Sequence, residues 1–440
     1  VAANGTAAPG GLYRAVWRWH FYAGLLVMPF LGWLAITGGL YLYKPEIERI
    51  VYADWMRVEA DRPVLPLGEM TQRVGIETGG TVTQVTRPAA SDESWRMTVT
   101  LPGSTKRMAF VDPGDGHVFG TTRPGGIMGL VKDLHSLIIT GAIGNAVIEV
   151  VAGWTIVLVA TGLYLWWPRG TPALALRGTP ARRLFWRDLH ASTGIVAGGA
   201  LLFLAVTGMP WSGVWGKAVQ GYVAAHGLGR PAAPANSSGD HAGHDAAATL
   251  PWAMQQAAMP HGAMSHDAMA HGATHAATIG PDRAIAVARI APPWTISLPT
   301  KPGAPYLVSA IATRAQDAHA VYVDAANGRV LQDARAADFG VGARAIEWGI
   351  ATHQGQQYGE PNRLVMLAGC IATLLLAISA PVMWWKRRPK GRIAAPPGRS
   401  GRGLIAIMAV TGVVLPLTGL TMLAALAIGR PWPGPRTSVA

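Results

Sequence analysis

The stretch FWRDLHASTG, residues 185–194, ends a run of basic residues and opens a long apolar one, ASTGIVAGGALLFLAVTGMPW at 191–211. His190 therefore stands at the doorway of a segment long enough to cross a hydrocarbon core of roughly 30 Å, which takes about 20 helical residues. Earlier in the chain, RWHFYAG at 18–24 puts His20 at the mouth of a second such segment, FYAGLLVMPFLGWLAITGGLYLY. Three more stretches have the same length and character: NAVIEVVAGWTIVLVATGLYLWW, RLVMLAGCIATLLLAISAPVMWW and LIAIMAVTGVVLPLTGLTMLAALAI. The expected spans are 20–43, 144–167, 190–215, 362–385 and 403–428, all helical, because only helices and closed barrels satisfy their backbone inside lipid.

Composition agrees. Half of the 440 residues are hydrophobic and only 14% are charged, which is low for a soluble chain of this size. The net charge of +13 is concentrated in short loops. Arg169, Arg177, Arg182, Arg183 and Arg187 lie between the second and third spans, and KRRPKGRIAAPPGRSGRG lies between the fourth and fifth. Short Lys/Arg-rich loops stay cytoplasmic, so the charge is a topology signal and calls for no nucleic acid. The expected layout has a cytoplasmic N-terminus at 1–19, basic cytoplasmic loops at 168–189 and 386–402, and a periplasmic tail at 429–440. Trp19, Tyr41, Tyr43, Trp166, Trp167, Trp211, Trp384 and Trp385 suit the aromatic belts of a bilayer. The first span is too long and too aromatic at its end for a cleavable signal peptide. Cys370, the single cysteine, falls in the fourth span and reads as a small packing residue.

The chain repeats itself. His20, Gly24, Thr37 and Gly38 recur as His190, Gly194, Thr207 and Gly208, each at an offset of 170. His135, Trp166 and Trp167 recur as His353, Trp384 and Trp385 at an offset of 218. Each half thus runs basic segment, His, span, outside domain, His, span, Trp-Trp, basic segment. The outside segments, 44–135 and 216–353, read as small α+β modules. In the first, LGEMTQRVGIE is a helix and TVTQVTR, SWRMTVTL, KRMAFVDP and PGDGHVFG are strands and turns; in the second, PDRAIAVARIA is the helix and YLVSAIAT and AHAVYVDAANGRVLQD carry strands. A lead-in to the second span is expected from 136 and to the fourth from 354.

The duplication gives the histidines a shared meaning. His20 and His190 fall at one depth and His135 and His353 at another, and a pseudo-two-fold axis along the membrane normal would bring each pair together. An isolated interfacial histidine can simply hydrogen-bond a carbonyl or a headgroup. Four at matched positions point instead to two bis-imidazole couples, His20/His190 and His135/His353, each suited to axial ligation of a haem b. Gly24, Gly194 and the Gly125-Gly126 pair would let a flat macrocycle approach the backbone. Asp133 and Asp188, in DLH triplets, either orient the histidines that follow or cap helices. Glu149, inside the second span, is a candidate to face the bundle interior, a haem edge or a proton path.

The larger second offset marks an insertion at 227–278, rich in Ala, Gly, Met and His. MPH, MSH and MAH recur there with a five-residue period, supplying Met259, His261, Met264, His266, Met269 and His271, with His241, His244 and His275 beside them. Thioether and imidazole together suit copper; a solvated linker is the plainer reading.

The starts WRWHFYAGLL and RDLHASTG, the ITGG and VTGM endings, the DLH and ATHQG segments and the VDP-like hairpins resemble the PepSY-associated transmembrane family over about residues 12–390. The expected fold is a membrane α-helical protein of duplicated two-span units, four core spans plus a fifth C-terminal span; the resemblance implies that its two small periplasmic α+β domains are PepSY-like, and the insertion and the fifth span depart from the family pattern. It further implies a di-haem inner-membrane reductase similar to siderophore reductases, with His20, His135, His190 and His353 as ligands and a ferric siderophore or other periplasmic chelate as electron acceptor. The basic loops are too short for a flavin domain and hold no G-x-G-x-x-G, so quinol or a partner reductase is the expected donor. The competing class is a non-enzymatic, copper-binding accessory membrane protein.

Overall fold

The computed structural model describes residues 11–167, 174–234, 278–387 and 402–428. In chain order its helices and strands are α1 (Gly11–Leu42), α2 (Lys44–Val51), α3 (Ala53–Met56), α4 (Leu67–Thr78), β1 (Thr81–Arg87), β2 (Trp95–Thr100), β3 (Lys106–Val111), β4 (Val118–Thr122), α5 (Gly126–His135), α6 (Gly141–Trp166), α7 (Arg183–Gly208), α8 (Trp215–Ala225), α9 (Pro281–Ala288), β5 (Trp294–Ser297), β6 (Tyr306–Ala310), β7 (His319–Val323), β8 (Val330–Arg335), α10 (Val341–His353), α11 (Glu360–Arg387), α12 (Arg402–Val414) and α13 (Pro416–Ile428). The chain divides into a helical unit (residues 1–36, 136–216 and 367–440) and a mixed unit (37–135 and 217–366).

Among the described residues, four segments are long and apolar enough to cross a membrane: Gly11–Leu42, Ile138–Trp166, Arg183–Trp211 and Glu360–Arg387. The first and third helices start earlier than their apolar runs. Nine residues of α1 precede His20 and seven of α7 precede His190, because Arg and Trp side chains extend a helix into the interface without breaking it. At 32 residues, α1 is about 48 Å long, more than the hydrocarbon alone requires. Its buried Ala23, Val27 and Leu31, spaced one turn apart, pack with Val151, Trp154 and Leu158 of α6 and with Met408 and Met422. Trp19 stacks on Trp154 at 6.0 Å.

The expected fifth span, 403–428, is not one helix. It folds as α12 and α13, 13 residues each, or about 20 Å apiece, short of the hydrocarbon thickness. The break falls at Leu415–Pro416, where proline lacks an N–H and disfavours helical backbone in the residue before it. The two helices then double back. A Cβ built on Gly419 would lie 2.3 Å from the Cα of Gly412, although seven helical residues in line would separate those atoms by about 10 Å. Within the described residues, 402–428 is thus a hairpin of two short helices in place of the one long helix expected. Trp154 Nε1 donates to Thr421 Oγ1 at 2.9 Å and Trp215 Nε1 to the Val414 carbonyl at 3.1 Å, which fastens the hairpin within this unit.

The mixed unit is built on one antiparallel sheet of eight strands in the order β4-β3-β2-β1-β5-β6-β7-β8. The expected strands form, and one not expected, β5, joins the two halves: Val85 pairs with Ile296 and Arg87 with Trp294. Alternation sends Val82, Val85, Met97, Val99, Ile296, Val308 and Val321 to one core with Leu67, Met70 and Val74 of α4 and Ala284 and Ala288 of α9. Trp95 and Trp294 meet edge to face at the seam, 5.5 Å apart. Asp282, at the start of α9, accepts hydrogen bonds from the Leu67 and Gly68 amides at 2.7 and 3.0 Å and so caps α4. Each half carries a helix, four strands and a second helix, in the same order.

Candidate functional site

His20 and His190 lie in the helical unit, on α1 and α7, and each ring is half-buried. His20 Nδ1 is 2.9 Å from Thr161 Oγ1 on α6. His190 Nδ1 is 2.9 Å from Ser379 Oγ on α11. Thr161 and Ser379 are themselves 218 positions apart, the offset that separates His135 from His353. Among the described residues, neither ring has a hydrogen-bonding partner at Nε2.

The packing behind the rings follows the same register. One turn beyond each histidine, on the same helix face, sit Gly24 and Gly194. A Cβ on Gly24 would meet Leu158 Cδ2 at 4.0 Å, and one on Gly194 would meet Leu376 Cδ2 at 3.9 Å. Leu158 and Leu376 are again 218 apart. Two contacts per couple, a hydroxyl on the ring and a leucine against the glycine, therefore recur at constant spacing. Gly162, next to Thr161, also brings α6 close to the ring: a Cβ there would lie 3.3 Å from His20 Cε1.

His135 and His353 belong to the mixed unit and occupy matching places. Each is the last residue of a helix, α5 and α10, ahead of a break and then a long apolar helix. His135 Nδ1 is 2.9 Å from Thr37 Oγ1, whose side chain is buried. The Gly125-Gly126 pair forms the positive-φ turn that opens α5. Gly126 faces Tyr52, whose hydroxyl would lie 2.9 Å from an added Cβ and accepts the Ile127 amide, so the small residue serves that contact.

The acidic candidates have structural partners. Asp188 is buried inside α7 and held by Arg177 Nε and Arg187 Nη2, each at 2.8 Å; its carboxylate raises the Arg177 guanidinium above its ordinary value. Asp188 fixes the basic segment ahead of the helix, while His190 Nδ1 is hydrogen-bonded to Ser379 Oγ. Asp133 pairs with Arg123. Glu149, 3% exposed, accepts the amides of Val214 and Trp215 at 2.9 and 3.1 Å, which caps the start of α8. The hydroxyls Thr161 and Ser379 were not among the sequence candidates. Their signal was available, since both obey the 218 offset, but a threonine and a serine in apolar runs do not announce a partner 141 or 189 residues away.

His241, His244, Met259, His261, Met264, His266, Met269, His271 and His275 lie outside the described residues. Among the described residues, no group of three or more His, Cys, Asp or Glu side chains is placed to hold a metal ion. No curated protein matches the chain. The family model for the PepSY-associated TM region matches residues 17–387, from just before His20 to the end of α11, and the chain belongs to that family.

Proposed function

We propose that the protein is a haem b-containing reductase of the bacterial inner membrane that takes electrons from quinol or a partner reductase and delivers them to a periplasmic metal chelate, a ferric siderophore or a copper complex. The observation that carries this reading is the pair of couples His20–Thr161 and His190–Ser379. Each directs Nδ1 to a hydroxyl and leaves Nε2 without a hydrogen-bonding partner among the described residues.

That donor set fits a haem. Two neutral imidazoles, each with one nitrogen engaged by the protein, are what bis-histidine ligation asks of a chain. His20 and His190 would hold one group, and His135 and His353 a second. A haem held by these histidines would supply one-electron transfer. The chain's own part is to orient the rings, through Thr161, Ser379 and Thr37, and to pack α1 against α6 so that His20 is held in place. For a ferric chelate, reduction to ferrous iron weakens the hold of hard oxygen ligands and releases the metal.

The mirrored strand order and repeated element order support reading the two half-sheets as PepSY-like repeats on the periplasmic side, and the Arg-rich segment around Arg182 and Arg183 supports a cytoplasmic N-terminus. The Met/His tract at 227–278 is proposed as a loose copper-gathering segment.

The test is spectroscopic. Detergent-purified protein is expected to show Soret and α bands that sharpen with dithionite, and two haems per chain. A colourless protein that retains stoichiometric copper would overturn the reading in favour of an accessory metal-binding role.

A further inference from the structure

We infer that Thr161 and Ser379 are positioning residues that fix the tautomer of His20 and His190, so that in both rings the proton sits on Nδ1 and the lone pair on Nε2. The inference rests on the haem reading of this pair and assigns a role to residues on the partner helices.

A hydroxyl has one proton to give. Thr161 Oγ1 donates it to the backbone, 2.6 Å from the Val157 carbonyl with the Leu158 carbonyl at 3.2 Å. Ser379 Oγ donates to the Leu376 carbonyl at 3.2 Å. With that proton committed, each oxygen faces its histidine as an acceptor, so the ring nitrogen at 2.9 Å must be the donor. The other tautomer is disfavoured twice over. It would set two acceptors against each other at Nδ1, and it would leave an N–H at Nε2 with no partner among the described residues, a loss of about 1–3 kcal/mol where water is excluded. The ring is thus prepared to donate to a metal before any metal arrives. Because the arrangement occurs in both couples at one sequence offset, it is a property of the pair and not of one side chain's packing.

The experiment uses the full-length protein, with haem count per chain, low-spin EPR signature and midpoint potential as readouts. Thr161→Val keeps the shape and removes the acceptor. It is expected to weaken haem retention at the His20/His190 centre by about 10–100-fold, the usual effect of losing such a partner, with the other centre full. Thr161→Ser is expected to restore retention, which a purely steric role would not give. Ser379→Ala, which only deletes an atom, is expected to shift the same centre's potential and EPR signature, and it decides the matter if the valine variant folds poorly. If His20→Ala removes a haem yet Thr161→Val and Ser379→Ala leave count, signature and potential unchanged, the positioning role is overturned and the haem reading stands. If His20→Ala leaves the haem count unchanged, the haem reading fails and this inference with it.

Discussion

The couples on His20 and His190 share a bond length of 2.9 Å and differ in how the hydroxyl is anchored. Thr161 is β-branched, with few rotamers open to it in a helix, and its oxygen sits 2.6 Å from a carbonyl one turn back. Ser379 is unbranched and reaches its carbonyl at 3.2 Å. On the other side, Gly162 lets α6 come within 3.3 Å of the His20 ring, where the corresponding residue of α11 is Ala380. The first couple is drawn in and firmly anchored; the second is looser. The two rings proposed to share one haem thus have unequal supports, and that inequality separates the members of an otherwise matched pair.

The largest effect expected is loss of a whole centre. His20→Ala, His190→Ala and the double variant should each fall from two haems per chain to one. The double should be no worse than either single, since residues acting as a unit are not additive. Pyridine haemochromogen assay against protein concentration measures this. A double variant with no haem would assign the two histidines to different centres and break the comparison at its root.

Packing behind the rings should show no such asymmetry. Leu158 and Leu376 are 7% and 6% exposed and meet Gly24 and Gly194 alike. Leu158→Ala and Leu376→Ala are each expected to cost about 2–5 kcal/mol, measurable as similar losses of midpoint in denaturant. A large difference would show that the couples diverge in their scaffolding and not only at the hydroxyl.

How much of this is legible from residues alone depends on the length scale. The four long helices follow from runs of apolar side chains, and the strands from local alternation, since both are written over a few adjacent turns or residues. His20 and His190, and His135 and His353, emerge because each pair recurs with its neighbours at a fixed offset, 170 and 218 residues. What escapes is what depends on the route of the chain. The apolar composition of 403–428 is the same for one helix of 26 residues as for two of 13, and only Pro416 with Gly412 and Gly419 distinguishes them. Strand β5 is four residues long, too short to stand out, yet it joins the two halves of the sheet. Asp188 and Glu149 look functional because a charge beside or within an apolar run is costly. Both are relieved by donors that local sequence does not identify: Arg177 is 11 residues from Asp188, and the Val214 amide is 65 residues from Glu149.

A smaller effect is expected from Gly162→Ala. The added methyl would lie 3.3 Å from His20 Cε1, so the ring or α6 must shift by a few tenths of an ångström, at a cost of about 1–3 kcal/mol for overpacking. The His20/His190 centre should bind haem more weakly and change potential, while the His135/His353 centre stays constant. Ala380→Gly in the other couple should do far less, since it removes a methyl and presses on nothing.

The smallest change tests the comparison most directly. Thr161→Ser gives the first couple the unbranched hydroxyl of the second. It keeps the acceptor that faces Nδ1 and the proton for Val157, but frees the rotamer that the branch had restricted. Haem retention should then change by less than about a factor of two, far below the 10–100-fold expected when the partner is lost. The low-spin EPR signal should broaden as His20 acquires the looser anchoring of His190. A serine variant as damaged as Thr161→Val would mean that the threonine methyl, through packing, holds His20, and that the hydroxyl couples are a by-product of helix contact.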